Sequence, residues 1–199
     1  PQRELANEWR IANDHVRELE TREAGWANNP DISDIPESQI LLKRQVLADP
    51  MFQQSFQLVP TDIRIVELDR LVVFQKFINL GYVRQLQLEI GSNPSKDDIF
   101  RFCLSVQHPH PPTKTLQTAQ NAYTFLSLSN DFRFVEARVF DPSQIIGYAP
   151  QGPVTEVLGF VIGYGSNFLN AIQVENRLIL NNGSHRAFAL RDKGIKHVP

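Results

Sequence analysis

The first twenty-odd residues are largely polar, with Leu5, Trp9, Ala12, Val16 and Leu19 recurring at steps of three and four. That pattern predicts one helix from Gln2 to about Ala24, carrying a narrow apolar stripe and ending near Gly25. Such a stripe lies on the main domain or pairs with a second copy or another partner. Asn28 to Ile35 reads as a loop. Pro36 then opens a short helix through Ile40, Leu41, Val46 and Leu47, closed by Pro50.

From Asp62 to Phe74 the apolar positions become dense and β-branched (Ile63, Ile65, Leu68, Leu71, Val72, Val73), which predicts one strand or two short ones. Asn79 can cap a helix holding Tyr82, Val83, Leu86 and Ile90, ended by Gly91. Ser95 to Asp98 has the form of a capping box ahead of Ile99, Phe102 and Val106. Thr115 to Leu128 is helical in pattern. Phe132 to Phe140 alternates as a strand does, and Val157 to Tyr164 is a second apolar strand candidate. Ala171–Val174 and Arg177–Leu180 flank Glu175-Asn176 as a hairpin would. The mixture of elements predicts an α/β (α+β) protein.

At the end of that hairpin, Asn181-Asn182-Gly183-Ser184-His185-Arg186 separates the strand run Arg177–Leu180 from a helix containing Ala187, Phe188, Leu190 and Arg191, ended by Gly194. A glycine there lets the backbone turn sharply and approach a ligand. The helix start offers unpaired N–H groups and the positive end of the peptide dipoles, which suit a phosphate. Ser184, as the helix cap, adds a hydroxyl, His185 a titratable ring and Arg186 a bidentate cation. The corner has the chemistry of an anion site. The alternative is an ordinary capped turn with His185 and Arg186 facing water.

Charge is consistent with that reading without proving it. The net charge of −2 gives no general attraction to nucleic acid or an acidic membrane. Residues 1–50 hold six Lys/Arg against ten Asp/Glu, whereas residues 172–199 hold five against two, so the positive excess surrounds the corner. Cys103 is alone, which excludes an intrachain disulfide and a paired-cysteine metal site and favours a reducing, cytoplasmic setting. No apolar run approaches spanning length, so no membrane association is expected.

The other candidates are weaker. His108-Pro109-His110 would hold a metal only with two further ligands, and an exposed loop is the simpler reading; no metal is expected. Cys103, between Phe102 and Leu104, reads as a buried structural thiol. Phe132-Arg133-Phe134 resembles a base-stacking surface but is more simply strand core. Gly159, Gly163 and Gly165 do not form a dinucleotide fingerprint, because no well-capped helix follows.

The order apolar strand, Asn182-Gly183-Ser184-His185-Arg186, Ala187 to Leu190, Gly194 and His197-Val198-Pro199 resembles the core of the ParB/sulfiredoxin superfamily. Ile65 to Leu71 and Tyr82 to Leu86 are similar to that family's first strand and helix. The resemblance implies a small mixed sheet with helices, built mainly from residues 59–91 and 166–199. Residues 1–58 would be an N-terminal helical extension, and about 92–165 an insertion within the 59–199 domain. It also implies a nucleotide site at Asn182, Gly183, Ser184, His185 and Arg186, with Gln75 and Lys76 nearby. The cofactor would be ATP or CTP with Mg²⁺, and His185 would contact the transferring phosphoryl group. Ser184 stands where a sulfinic-acid reductase of the family needs cysteine, which argues against that activity. Asn182 replaces the acidic residue expected of a serine kinase, so a carboxylate base would come from Glu67 or Asp69. The expected function is an NTP-dependent phosphotransferase or NTPase; the alternative is a non-catalytic nucleotide-sensing or DNA-associated module. The expected partners are the nucleotide and a second copy bound through the N-terminal helix; the acidic N-terminal segment predicts little affinity for DNA.

Overall fold

The computed structural model describes residues 2–106, 110–129, 131–147 and 152–199. The chain divides into two compact units, Pro1–Val106 with Phe168–Pro199, and Gln107–Asn167. The architecture is mixed α and β, with several small sheets rather than one large one.

The first unit begins with α1 (Gln2–Arg22), none of whose residues is buried. A two-residue strand, β1 (Ile32–Ser33), interrupts the expected loop. A 3₁₀ turn at Glu37–Gln39 leads into α2 (Ile40–Ala48). Pro50 closes α2 but also opens a helix that the pattern did not announce, α3 (Pro50–Phe56). The Asp49 side chain caps it by accepting from the N–H groups of Met51 and Phe52. Proline at the first helical position forfeits no hydrogen bond, so one residue ends α2 and starts α3.

Next come β2 (Ile65–Glu67), a 3₁₀ turn at Leu68–Arg70 and β3 (Val72–Val73). Asn79 caps α4 (Leu80–Ile90) through the Tyr82 N–H, and Gly91 ends it at φ 78°. The Ser95–Asp98 capping box starts α5 (Lys96–Cys103), as its sequence leads one to expect.

The second unit holds β4 (Lys114–Ala119), β5 (Ala122–Leu126), β6 (Phe132–Phe140) and β7 (Val157–Tyr164). The helix expected over Thr115–Leu128 is absent. β4 and β5 form an antiparallel hairpin with Thr115 against Phe125 and Gln117 against Tyr123. The threonines and aromatics of this stretch suit a pleated ribbon. No described residue of the unit is buried, so the described residues offer no core to hold an amphipathic helix.

β6 and β7 make the longer ribbon. Its register places Phe132, Phe134, Ala137 and Val139 on one face with Leu158, Phe160, Ile162 and Tyr164, the unpaired Val135 forming a bulge between them. The other face carries Arg133, Glu136 and Arg138. There the Phe140 ring lies over Gly159, and the Arg133 side chain lies where a Cβ on Gly165 would stand. Phe134 is 56 % exposed, so it is not the strand-core residue its alternation suggests.

The first unit resumes with β8 (Asn170–Val174), β9 (Arg177–Asn182), α6 (Ser184–Asp192) and β10 (His197–Val198). β1 and β10 flank β2, both antiparallel. β9 lies between parallel β3 and antiparallel β8. One apolar cluster joins Ile35, Leu42, Val46 and Phe52 to Leu68, Phe100, Cys103, Phe168, Leu190 and Val198. Residues 35–56 therefore share the core that holds the corner. A second contact packs Val83 and Leu86 of α4 against Ala189 of α6. Both surfaces of α6 are thus fixed, which sets the direction of its first turn.

Candidate functional site

The corner is a strand end converted into a helix start. β9 runs to Asn182, further than its apolar run suggests. Gly183 then takes φ 94°, a left-handed conformation that an L side chain rarely adopts. A Cβ there would lie 3.0 Å from the Leu169 side chain and 3.1 Å from its backbone, so any other residue would be crowded as well as strained. Gly183, not Ser184, is the N-cap residue, and no side chain caps the helix. Ser184 falls one place later, as the first helical residue. As at any helix start, the amides of the first turn have no carbonyl one turn earlier to bond.

Asn182 holds the turn together: its Oδ1 accepts from the Gly183 N–H at 2.9 Å and its Nδ2 donates to the Phe168 carbonyl at 3.1 Å. Beyond it, the side chains splay in three directions. His185 turns to α4, where its Nε2 accepts from the Asn79 N–H at 3.1 Å and its ring meets Tyr82 edge-on, centroids 5.3 Å apart. Arg186 turns inward. It is 6 % exposed, and its Nη1 donates to the carbonyls of Phe102 at 3.1 Å and Cys103 at 3.0 Å. Those are the last carbonyls of α5, where the negative end of the peptide dipoles favours a cation.

Ser184 takes the third direction. It lines a cavity of about 240 Å³ between α6 and the 68–78 segment. The cavity walls include Leu71, Val73, Ile78 and Phe188, and its polar groups come from Asp69, Gln75, Ser184 and Arg191. Asp69 and Arg191 are hydrogen-bonded to each other, and the carboxylate raises the Arg191 pKa further above its ordinary value. The Gln75 amide donates to the Phe77 carbonyl at 3.0 Å. Lys76 is exposed and is not among the lining residues; neither are His185 and Arg186.

Of the residues singled out from sequence, the structure brings Ser184, Gln75 and Asp69 to one cavity, while Glu67, the other candidate base, is not among its lining residues. It places Asn182 and Gly183 in the turn behind it, and His185 and Arg186 on other elements. Arg191 and Phe188 were not singled out, although their spacing from Ser184 carries the signal. Positions 184, 187, 188 and 191 share one face of a helix, and 186 lies on another.

The remaining candidates fall elsewhere. His108 lies outside the described residues, and His110 stacks on Tyr164 with centroids 4.0 Å apart. Among the described residues no group of three His, Cys, Asp or Glu side chains is placed to hold a metal ion. Cys103 is buried, and burial pushes its thiol up to about 12. No described helix is long and apolar enough to cross a membrane. The cavity at the start of α6 brings together apolar walls, a hydroxyl, an amide and an ion pair. Compared with protein-family models, curated proteins and solved structures, the chain matches none.

Proposed function

We propose that this chain binds a nucleoside phosphate at the start of α6, with a ParB/sulfiredoxin-like arrangement around it. The observation that carries the reading is the cavity. It joins a helix start bearing Ser184 to an apolar wall of Leu71, Val73, Ile78 and Phe188, and it has Gln75 and Arg191 at its polar side. A phosphate suits the first-turn amides and the Ser184 hydroxyl, and the apolar wall suits the flat face of a base or sugar. At about 240 Å³ the cavity falls below the usual 300–1,000 Å³ of small-molecule sites, so part of a nucleotide would project outward.

The donor set fits a phosphate through Ser184, Gln75 and Arg191 rather than through the Arg186 side chain, which is engaged with α5. Mg²⁺ bound with the nucleotide would supply charge neutralisation of the phosphates. Asp69, held by Arg191 at the cavity wall, is the carboxylate best placed to orient or deprotonate an acceptor. Arg191 would exchange that carboxylate for phosphate oxygen, leaving Asp69 free for this role. His185, engaged with Asn79, is less well placed. This favours phosphoryl transfer or NTP hydrolysis through Asp69. Binding without turnover, as in a nucleotide-sensing module, is the second reading, favoured by the position of His185 outside the cavity.

The test is calorimetry and thermal shift with ATP, CTP, GTP and ADP, with and without Mg²⁺. A ligand should raise the melting temperature by mass action. Arg191→Ala should weaken binding about tenfold, as loss of a charge-assisted hydrogen bond does. Asp69→Asn should retain binding and lose any turnover. No binding of any nucleotide at millimolar concentration would overturn the proposal.

A further inference from the structure

No residue of the apolar stripe of α1 is buried: Leu5, Trp9 and Val16 are 65, 69 and 50 % exposed, and Leu19 is partly covered. Leu5, Trp9, Ala12, Val16 and Leu19 alternate steps of four and three without a break, a period of 3.5 residues. A helix lying on its own domain usually shows a wider apolar face, whereas a two-in-seven stripe has the form of a seam between paired helices; Ile11, 61 % exposed, lies off it. Apart from Ala6, the positions flanking the seam are polar: Glu8, Asn13, His15, Glu20 and Arg22.

We infer that α1 pairs antiparallel with α1 of a second copy, setting Trp9 against Leu19 of the partner subunit and Ala12 against Val16 of the partner subunit. A parallel pair would stack Trp9 on Trp9 and Ala12 on Ala12, crowding one layer and leaving a gap in another. The antiparallel register sets a small side chain against a larger one at both central layers. It also sets Glu8 beside Arg22 of the partner subunit, twice by the twofold symmetry. In a parallel pair Glu8 would face Asn13 of the partner subunit, and that charge match would be lost. Arg22 pairs with Glu23 of its own chain at 3.5 Å, but both side chains are exposed, so exchanging that pair for one with a partner costs little. Four mutual apolar layers fall short of the roughly 800 Å² per partner of a stable interface, so the pair is weak and concentration-dependent.

Sedimentation velocity of the full chain between about 5 and 500 μM tests this, with self-association expected to follow mass action across that range. Val16→Asp should leave a monomer at every concentration while the far-ultraviolet circular dichroism of the folded chain persists. Glu8→Arg should weaken association about three- to tenfold, and Glu8→Arg with Arg22→Glu should restore it. A monomer throughout, a dimer indifferent to Val16→Asp, or a double reversal that restores nothing would each overturn the antiparallel pair.

Discussion

Arg186 donates from Nη1 to the carbonyl oxygen of Cys103 at 3.0 Å, so the guanidinium of the corner closes the end of another helix. Both groups are buried, and the same nitrogen reaches the Phe102 carbonyl. The bond ties the first turn of α6 to the last turn of α5. It makes Arg186 a support of the cavity rather than part of its wall.

Arg186→Ala should therefore act first on stability. Removing a buried charged donor takes a hydrogen bond from the Phe102 and Cys103 carbonyls, of which the second keeps the Leu169 N–H at 2.9 Å, at a cost of about 2–3 kcal/mol. Chemical denaturation should show that loss. Arg186→Lys, which keeps the charge but not the fork geometry, should recover only part of it.

At Gly183 the expected penalty has two sources, the positive φ and the contact with Leu169. Gly183→Ala should cost about 1–3 kcal/mol, measured as a fall in denaturation midpoint. Any nucleotide binding should weaken along with it, because the strain falls on the turn that aims Ser184.

The Cys103 thiol, pushed up to about 12 by burial, holds almost no thiolate at neutral pH. Alkylation of the native chain at pH 8 should be slow and limited by opening of the core. It should become rapid in denaturant, as mass spectrometry of iodoacetamide-treated samples will show.

Asp62 is held below the usual carboxylate range, chiefly by the Lys43 ammonium at 2.5 Å, with help from the Ile63 N–H and Arg64. A depressed folded pKa contributes stability at pH values above the unfolded value of about 3.9, and that contribution is lost as pH falls toward the folded value. Asp62→Asn should thus lower the melting temperature at pH 7, by an amount that shrinks as the pH is taken down through the folded value. The group is half-exposed, so the effect should stay below about 1 kcal/mol.

Much of the fold is legible in the sequence because local chemistry dictates it. Asn79 and Ser95 start helices by bonding amides within three residues of themselves. Gly91 and Gly183 mark turns that only a residue without Cβ enters easily. The alternation of Phe132–Phe140 survives as a strand for the same reason. Thr115–Leu128 failed because apolar spacing alone does not make a helix: no described residue of the unit is buried, and its Thr and Tyr side chains pair across a ribbon instead.

The site divides along the same line. By itself the sequence determined that a strand turns at Gly183 into a helix and that Ser184, Phe188 and Arg191 share a face. Only the tertiary structure decided which face meets the cavity. α5 places its terminal carbonyls where Arg186 can reach them, α4 presents the Asn79 N–H to His185, and the 68–78 segment brings Asp69 and Gln75 to Ser184 and Arg191. Helical periodicity sets the angle between side chains, but their partners come from residues about 80 to 120 positions away in sequence, and no local pattern encodes that meeting.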